Sequence, residues 1–479
     1  MQGKTLLWGK GLIPKSKFRK EETFLSFKID LPQNVAFIIH TLEEAGHEAY
    51  AVGGCVRDAA LGKEPNDWDI TTSAEPLEVK KLFRRTIDTG IKHGTVTIMI
   101  KNEGYEVTTY RVDGEYHDHR RPESVQFTRS LEEDLKRRDF TINAMAYSDS
   151  KGLVDMFHGM EDLDMEHNGA SGIIRAVGNA DERFDEDALR ILRAVRFAAQ
   201  LGFTIEEDTA KAAAKHAPDL KAVSAERIET ELTKLLLSNH PEELEVAYKL
   251  GITKVILPEF DRMMETEQHT PYHKYDVGHH TMEVIRNIPA RKTLRWAALL
   301  HDSGKPDAKT TDEAGRDHFK GHNVISEEIA KKVLRRMKLD NQTIKDVSKI
   351  VYWHDYGLRG GLKKTTFRQA LSKMGIDYFD DIIAIRKADM AGQSDYKKDE
   401  SIQALNEMLE MHKEIVEAKD PLSVGDLKIT GGDLIQAGVK PGPQMGQILK
   451  ELLEDCLGQP EHNNSEYLMK RALKMAGVE

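Results

Sequence analysis

The pattern of apolar and polar residues changes character near residue 165. Before it, short runs such as HEAYAVGG, GTVTIMI and GYEVTTYR are rich in β-branched and aromatic residues, which predicts strands, the last two as an antiparallel pair. The run AEPLEVKKLF between them has helical spacing, and after residue 180 the pattern is almost entirely helical. We therefore expect an α+β fold, with a head built on a mixed sheet with helices and a long helical body after it.

Composition narrows the class of protein. The chain has 479 residues, 39% hydrophobic and 31% charged, and a formal net charge of −11. No apolar run approaches the ~20 residues that cross a bilayer, which excludes a membrane-spanning protein. Two cysteines, Cys55 and Cys456, exclude a disulfide-stapled scaffold and favour a reducing compartment, so we expect a cytoplasmic protein. The acidic balance argues against a general positive coating for nucleic acid but allows local basic surfaces.

The N-terminal segment is basic. Residues 1–20 hold six basic residues and no acidic one, without the apolar stretch of a secretory signal. This predicts a basic arm over residues 1–28, either simply solvated or in contact with phosphates.

Gly53 and Gly54 stand where a predicted strand meets a predicted helix, in the segment GGCVRD. Two glycines let backbone N–H groups approach a phosphate closely, and the start of a helix favours anions. Arg57 can add a charge-assisted bond to a phosphate oxygen. The segment predicts a phosphate-binding turn, with an ordinary structural glycine turn as the alternative.

Two aspartates follow in the segment PNDWDI. Asp67 and Asp69 are two residues apart, and on a strand such residues point to the same face. Neighbouring carboxylates repel unless a cation lies between them, and Mg²⁺ is commonly bound by one or two carboxylates together with substrate phosphates. Glu106, on the predicted strand GYEVTTYR, joins this cluster if its strand lies beside the aspartates; otherwise it is an exposed strand residue.

The segment RRDFTINAMA combines two arginines with an Asp and an Asn. Arg137 and Arg138 suit a triphosphate, and Asp139 and Asn143 suit the hydroxyls of a ribose. A helix start capped by Asp139 is the alternative.

The run DEDALRILRAVRFAAQLGF is the strongest predicted helix. One face is apolar, and the other presents Asp187 with Arg190, Arg193 and Arg196 at three-residue spacing. Like charges at this spacing repel mildly, so we expect an anion or an acidic neighbour. An acceptor beside a bidentate donor is the pair that reads the edge of a base. A surface helix held by salt bridges is the alternative.

Histidines and aspartates recur in the helical body. The candidates are His280, His301, Asp302, His322, His354 and Asp389. Such side chains on separate helices can converge on one divalent cation, and the adjacent His301 and Asp302 can both ligate where a helix ends.

The segments GGCVRD, PNDWDITTSA, TGIKHGTVTI and RRDFTINAMA, in this order, resemble class II tRNA nucleotidyltransferases, and the resemblance covers essentially the whole chain. This group contains the CCA-adding enzymes and the bacterial poly(A) polymerases. The resemblance implies template-independent addition of C, C and A to the 3′ end of tRNA from CTP and ATP, with release of pyrophosphate. It implies a nucleotidyltransferase head at residues 29–160 and a helical neck with a base-binding helix at 161–245.

The same resemblance assigns roles to the candidate residues. Asp67 and Asp69 would hold two Mg²⁺ ions, and we count Glu106 as a third catalytic candidate. The remaining candidates would bind the nucleotide. Gly54, Arg57 and Arg138 match nucleotide-binding positions, Asp187 and Arg190 would read the incoming C or A, and Arg193 and Arg196 would lie near phosphates or shape the pocket.

Two segments bear on which product is made. IDTGIKHGTVTIMI resembles the CCA-adding version of this region, where poly(A) polymerases have a basic Gly-Arg-Arg-Phe-like segment. YRVDGEYHDHRRPESVQF stands at the place of a flexible loop that CC-only enzymes lack or shorten. We therefore favour full CCA addition, with poly(A) synthesis and CC-only or A-only addition as alternatives.

The order His280, His301-Asp302, Asp389 resembles the HD phosphohydrolase superfamily. This implies an HD-type helical domain at residues 246–400, in which these four residues bind a divalent ion of unspecified identity, and a helical tail at 401–479. His322 and His354 would be ligands of a second ion. The implied activity is metal-dependent hydrolysis of phosphoesters, with 2′,3′-cyclic phosphates on damaged RNA ends as one candidate.

Alternatives to an active second site remain. The HD domain can be degenerate and retained for packing or tRNA binding. Conversely, the protein can be an HD phosphohydrolase whose head is a non-catalytic RNA-binding module, although the intact aspartate pair speaks against this. The basic stretch RGGLKK at residues 359–364 is a candidate part of a tRNA path.

Overall fold

The computed structural model describes residues 27–114, 125–166, 168–169, 171–357 and 361–478. Most of the basic arm, the centre of the segment YRVDGEYHDHRRPESVQF and the first two residues of RGGLKK therefore lie outside the described residues. The chain divides into two compact units, one of residues 1–190 and 203–213, the other of residues 191–202 and 214–479.

A mixed sheet forms the centre of the first unit. Its strand order is β3-β4-β5-β2-β1-β8-β9, and its neighbours are antiparallel except for the parallel pair β2 and β5. The strands of the chain are β1 (Ala49–Val52), β2 (Ile70–Thr72), β3 (Thr86–Gly90), β4 (Thr95–Ile100), β5 (Glu103–Thr109), β6 (Arg111–Asp113), β7 (Val125–Phe127), β8 (Ala146–Ser148), β9 (Gly152–Val154), β10 (Ile173–Ile174), β11 (Thr204–Ile205), β12 (Thr310–Thr311) and β13 (Asp317–His318).

Helices account for most of the remaining chain. Those that begin before residue 220 are α1 (Gln33–Glu44), α2 (Gly54–Ala60), α3 (Pro76–Leu82), α4 (Leu131–Lys136), α5 (Gly159–Leu163), α6 (Ala180–Glu186), α7 (Leu189–Leu201) and α8 (Glu207–His216). The later helices are α9 (Ala225–Leu236), α10 (Leu244–Lys249), α11 (Ile252–Ile256), α12 (Pro258–Met264), α13 (Val277–Asn287), α14 (Lys292–Leu300), α15 (Lys305–Ala308), α16 (His322–Arg336), α17 (Asn341–Trp353), α18 (Lys364–Met374), α19 (Phe379–Gly392), α20 (Lys398–Glu417), α21 (Gly431–Gln436), α22 (Pro443–Gly458) and α23 (Ser465–Ala476).

These elements confirm the expected α+β class. The predicted pair GTVTIMI and GYEVTTYR forms β4 and β5, which are antiparallel, and the Gly53-Gly54 turn joins β1 to α2. Both central strands, β1 and β2, are buried along their whole length. No helix in the described part of the chain has the length and apolar content that a membrane crossing needs.

The single long helix predicted from Asp187 onward is wrong at its start. α6 ends at Glu186, α7 begins at Leu189, and Asp187 between them has an extended backbone with φ −144° and ψ 100°. The Asp187 Oδ1 atom accepts the Leu189 N–H at 3.1 Å, and so satisfies a donor that the first turn of a helix leaves unpaired. The aspartate therefore interrupts the helix that periodicity alone would continue.

In the second unit, the turn from His301 to Gly304, here called the HD turn, depends on a close approach between two backbone segments. α14 ends at Leu300, and His301, Asp302, Ser303 and Gly304 lead into α15. A Cβ on Gly304 would lie 2.5 Å from the His322 carbonyl oxygen and 2.6 Å from the Ser326 nitrogen. Glycine is therefore required for the start of α16 to pack against this turn.

Two apolar clusters stabilise the rest of the second unit. One unites residues of α18, α19 and α20, with Phe367, Phe379 and Met408 buried in it. The other unites α21, α22 and α23 around Leu452 and Leu468. The C-terminal helices thus have a core of their own.

The ion pair between Arg196 and Glu231 supplies a stability prediction. The two side chains are only 8% and 6% exposed, so Glu231→Gln leaves a buried guanidinium without its counter-charge. We expect a loss of about 3 kcal/mol in the free energy of unfolding, measured by urea denaturation.

Glu328→Gln is the matched control, because Glu328 pairs with Lys331 on the exposed side of α16. Its unfolding midpoint should not change. Equal midpoints for the two variants would contradict the importance of the buried pair.

Candidate functional site

The glycine turn after β1 lies directly against an arginine. Gly53 has φ +84°, its N–H donates to the Met145 carbonyl at 3.0 Å, and a Cβ there would lie 2.9 Å from Arg138 Nη1. A side chain at this position is therefore excluded twice, by the left-handed backbone and by the guanidinium. Gly54 begins α2 with only Arg57 Nη2 near its missing Cβ, at 3.6 Å.

Arg57 is fixed by a chain of hydrogen bonds. Its Nη1 donates to Asn143 Oδ1 at 2.7 Å, and its Nε donates to Asp58 Oδ1 at 2.9 Å. Asp139 Oδ1 in turn accepts from Asn143 Nδ2 at 3.2 Å and from the Phe140 N–H at 2.9 Å. Asp139 therefore follows α4 and orients Asn143; it does not cap a helix start, because the segment after it forms only a short 3₁₀ turn, Thr141–Asn143.

Arg138 has donor capacity to spare. Its Nη2 lies 3.6 Å from Asp134 Oδ2, and its buried Nε has no hydrogen-bond partner among the described residues. Burial lowers the pKa of the guanidinium, while Asp134 and Asp69 oppose that effect. An unpaired buried donor is costly, and an anion at the glycine turn would satisfy it.

Asp67 and Asp69 lie in the extended segment just before β2, not on the strand as predicted. The strand starts at Ile70 because β1 turns away at Gly53, although the Val52 N–H still donates to the Asp69 carbonyl at 3.0 Å. The pKa of the Asp69 carboxyl is raised by the loss of surrounding water and by Asp67, and lowered by Arg138. A divalent cation between the two carboxylates would remove this repulsion.

Glu106 belongs to the same part of the sheet. β5 lies beside β2 in parallel, with Ile70 opposite Val107. Extended by one residue beyond the paired positions, this register would set Asp69 opposite Glu106. Glu106 was expected to join the two aspartates if its strand lay beside theirs, and β5 does lie beside β2.

Asp187 and Arg190 lie in the first unit with these residues. Arg190 Nη1 donates to the Arg183 carbonyl at 3.1 Å, and its Nη2 donates to the Arg137 carbonyl at 3.0 Å. Its guanidinium also pairs with Glu186. Arg190 is thus held beside the residue that precedes Arg138.

Arg193 and Arg196 belong to the second unit, where Glu231 is their acidic neighbour. Arg196 pairs with it closely, donates to Gln200 Oε1 at 2.8 Å and lies 3.7 Å from the centre of the Phe197 ring, while Arg193 Nη1 is 3.8 Å from Glu231 Oε1. The sequence predicted an acidic neighbour or an anion but did not identify Glu231. The alternative given above, in which salt bridges hold this helix in place, thus applies to Arg196.

The histidines and aspartates of the body lie close together in two groups, with Asp302 in the group of His322 and His354 and not, as expected, with His280, His301 and Asp389. His280, His301 and Asp389 form one, and Asp302, His322 and His354 form the other. The shortest distance in the first is 2.8 Å, from His280 Nε2 to Asp389 Oδ1. We call these six residues the metal cluster.

Asp302 connects the two groups. Its Oδ2 lies 3.1 Å from His301 Nε2 and 3.6 Å from His280 Nε2, and its Oδ1 lies 3.3 Å from His322 Nε2 and 3.7 Å from His354 Nε2. A carboxylate with one oxygen toward each group is suited to bridging two cations.

Backbone carbonyls orient the four imidazoles. The distances from Nδ1 are 2.7 Å for His301 to Ala298 O, 2.6 Å for His354 to Val351 O, 2.9 Å for His322 to Phe319 O and 3.3 Å for His280 to Gly392 O. Because a carbonyl can only accept, each Nδ1 carries a proton and each Nε2 is directed toward the cluster. A neutral imidazole in this orientation would present its Nε2 lone pair to a bound cation.

The buried ligand atoms at the centre fit a bound cation. His301 Nε2 and both carboxylate oxygens of Asp302 are shielded from solvent and lie close to one another. His322 Nε2 and His354 Nε2 face each other at 3.2 Å, where two lone pairs repel unless a cation or a proton lies between them. Nitrogen and carboxylate ligands together suit a transition-metal ion or zinc.

Lys305 is a neighbour of the cluster that sequence reasoning missed. Its Nζ lies 2.7 Å from Asp302 Oδ2 and donates to Gln268 Oε1 at 2.8 Å. Burial would raise the pKa of Asp302, but His301 and Lys305 hold it well below its usual value. The sequence contains the information needed to predict this contact, because Lys305 stands three residues after Asp302 at the start of a helix.

His279 and His273 stand near His280 in the sequence, and the typical role of such residues is a local contact. His279 Nδ1 contacts Asp276 on the same helix start, as expected. His273 instead packs its ring edge-on against His280, with ring centres 5.2 Å apart.

Comparison with known proteins gives one consistent result. Residues 49–167 match a family model described as the poly A polymerase head domain, residues 202–264 match a probable RNA- and SrmB-binding site of polymerase A, and residues 322–472 match a putative tRNA nucleotidyltransferase domain 2. His280, His301 and Asp302 lie between the second and third matched segments.

Curated relatives agree with the family models. A protein of Leuconostoc mesenteroides named CCA-adding enzyme is 38% identical, covering 87% of this chain and 89% of its own. One of Levilactobacillus brevis with the same name is 39% identical, covering 87% and 91%.

Solved structures are similar in fold. The Bacillus stearothermophilus CCA-adding enzyme in complex with CTP has a TM-score of 0.67 at 29% identity, covering 93% of this chain and 99% of that one. The Thermotoga maritima CCA-adding enzyme complexed with tRNA has a TM-score of 0.57 at 21% identity, covering 93% and 95%, which is a likeness of fold alone.

The metal cluster predicts a metal stoichiometry. Zn²⁺ titrated into the metal-free protein, followed by calorimetry, should bind at two sites in the cluster. His354→Gln should abolish the second, because Asp302 and His322 alone supply too few ligands.

His318→Gln is the matched control. His318 is exposed and pairs with Asp312 outside the cluster, so this variant should bind as the wild type does. An unchanged stoichiometry in His354→Gln would show that the second group is not a metal site.

Proposed function

The chain belongs to the CCA-adding enzyme family of tRNA nucleotidyltransferases, and from this premise we propose which residues carry each part of the reaction. The enzyme adds C, C and A to the 3′ end of tRNA without a template, from CTP and ATP, and releases pyrophosphate. The reaction needs a divalent ion, which we take to be Mg²⁺. Two buried, unpaired cysteines fit a reducing compartment, so we assign the enzyme to the cytoplasm.

Asp67, Asp69 and Glu106 are the proposed ligands of the ions in the head. The carboxylate oxygens suit Mg²⁺, and the raised pKa of Asp69 reflects crowding that a cation relieves. When bound, Mg²⁺ polarises the α-phosphate and favours the ionised form of the attacking 3′-hydroxyl. The protein's part is to hold these carboxylates close together, Glu106 on β5 and the two aspartates in the segment that leads into β2.

The triphosphate is proposed to lie against the glycine turn. Gly53 and Gly54 leave the backbone accessible, and the unpaired Nε of Arg138 donates to a phosphate oxygen. Arg57, fixed by Asn143 and Asp58, adds a second positive charge. Charge that grows on the leaving pyrophosphate is thereby stabilised by groups that need no rearrangement.

Asp187 and Arg190 are the proposed readers of the base. Arg190 is held by three groups, which fixes the direction of its guanidinium, and Asp187 stands at the break between α6 and α7. Their acceptor and donor atoms can pair with the edge of C or A. Glu231 engages Arg193 and Arg196, so we assign these two to shaping the helix and not to phosphate binding.

The metal cluster supports a second activity, the metal-dependent hydrolysis of a phosphoester. The observation behind it is the shared Asp302, whose two oxygens face histidine Nε2 atoms of the two ligand groups. The proposed ligands are those predicted from the sequence. A phosphoester such as a 2′,3′-cyclic phosphate suits an enzyme that acts on RNA 3′ ends.

A variant pair separates the two activities. With tRNA lacking its CCA end, CTP and ATP, the wild type should add two C and one A, resolved on a sequencing gel. Asp69→Asn should lower addition by at least about 10³-fold, since a metal ligand is lost, and leave hydrolysis of 2′,3′-cyclic AMP intact.

Asp302→Asn should show the opposite pattern. Long A tails from the wild type would identify a poly(A) polymerase instead, and addition that stops at CC or adds only A would identify a partial enzyme. Full addition by Asp69→Asn would leave the phosphohydrolase with an RNA-binding head as the explanation.

The glycine turn gives a second test in the head. Gly53→Ala places a methyl group against Arg138, so we expect CTP binding, measured by calorimetry, to weaken at least about tenfold. Gly46→Ala is the matched control, because Gly46 has φ +86° but nothing within 4 Å of its missing Cβ. Both should lose about 1 kcal/mol of stability from backbone strain, and equal CTP affinities would contradict the phosphate assignment.

A further inference from the structure

Two tyrosines form an exposed pair beside the metal cluster. The ring centres of Tyr272 and Tyr396 are 5.1 Å apart with an interplanar angle of 79°. The residues are 45% and 48% exposed. In such an edge-to-face contact each ring keeps at least one face open, so the pair presents aromatic surface to solvent.

Hydrogen bonds join the two segments that carry these rings. The Ser394 N–H donates to the Tyr272 carbonyl at 2.8 Å, and the Ser394 hydroxyl donates to the Pro271 carbonyl. The tyrosines therefore share one surface, although 124 positions separate them in the sequence, 396 − 272.

Each tyrosine is connected to a ligand of the cluster. Tyr272 precedes His273, whose ring lies 5.2 Å from that of His280. Tyr396 follows the end of α19, which carries Asp389 and whose Gly392 carbonyl accepts from His280 Nδ1. The pair thus stands near the segments that carry two of the three ligands in the first group, His280 and Asp389.

From these contacts we propose that Tyr272 and Tyr396 bind the nucleobase of the phosphoester hydrolysed at the metal cluster. The proposal rests on the phosphohydrolase activity proposed above and names its substrate class: a phosphoester attached to a nucleoside. Aromatic side chains bind bases by stacking, with little preference for sequence because every base has a π-face.

His273 supports this placement independently. Its Nδ1 is buried and has no hydrogen-bond partner in the described chain. His273 follows Tyr272 directly in the chain and its ring packs edge-on against His280, so the residue links the segment of the tyrosine pair to the cluster. A ribose hydroxyl would satisfy the unpaired nitrogen.

Charge around the pair favours a base over a phosphate. Lys397 Nζ pairs with Glu400 at 2.8 Å, and Lys398 Nζ pairs with Asp395 at 2.9 Å. These lysines are already matched by acids, so the surface has little net charge to offer an anion. The part of this surface that remains available to a ligand is the pair of aromatic rings.

The test compares two substrates that differ only in the nucleoside. 2′,3′-Cyclic AMP and glycerol 1,2-cyclic phosphate contain the same five-membered phosphodiester ring, but the second has no base. In Y272A/Y396A we expect the KM for cyclic AMP to rise about 5- to 150-fold, and the kinetics with the glycerol compound to be unchanged.

Y275A is the control variant, since Tyr275 is exposed and its ring makes a cation–π contact with Lys274 in the described part of the chain. It should behave as the wild type does. An unchanged KM for cyclic AMP in Y272A/Y396A, or an equal loss with both substrates, would overturn the proposal.

A binding measurement separates this proposal from the activity on which it rests. Quenching of 2-aminopurine riboside fluorescence reports stacking without hydrolysis, and should be weaker in Y272A/Y396A than in Y275A. If the wild type hydrolyses neither cyclic phosphate, the phosphohydrolase activity fails, and equal quenching in the two variants would then reject the base site as well.

A short RNA that ends in a 2′,3′-cyclic phosphate shows whether the site binds a free cyclic nucleotide or the terminal nucleoside of an RNA. A similar KM increase for this RNA and for cyclic AMP would assign the site to the terminal nucleoside of either. An increase with only one of them would identify that one as the ligand.

Discussion

The carboxylate of Asp302 is the point on which the second unit depends. Histidines from four separate segments turn their Nε2 atoms toward it or toward Asp389, and Lys305 adds a charge from the next helix. Taking so many polar groups out of water is favourable only if they are paired with each other or with a metal ion. The ends of the surrounding helices are therefore set by this one charge.

The head also contains charged groups that lack full partners, but there the positive and the negative side chains form two separate sets. Arginines gather around the glycine turn, and aspartates gather at the start of β2, so that neither set is satisfied by the other alone. The pKa of Asp69 is raised and that of Arg138 is lowered, each first by the loss of water. A nucleoside triphosphate with its metal ion brings the complementary charges together in one ligand, which explains why the site is polarised before substrate arrives.

Sequence reasoning succeeded where residue type and spacing decide the outcome. Paired glycines, the two aspartates and the His-Asp pair require particular neighbours, so their convergence follows from chemistry. It failed where local backbone geometry or distant contacts decide. Helical periodicity cannot detect that Asp187 caps a new helix, and no local pattern links Arg196 to Glu231 or Tyr272 to Tyr396. Those pairings exist only after the chain has folded.

The close approach at Gly304 has a consequence for ion choice. His322 stands at the start of α16, and the helix is pressed onto the HD turn by contacts of backbone atoms with the glycine. The span between the two ligand groups is therefore set by main-chain sterics and cannot be adjusted by a change of side-chain rotamer. If the two groups hold ions as proposed, a cavity with such fixed walls would discriminate them by radius, and a methyl group at residue 304 would widen the span and favour larger cations.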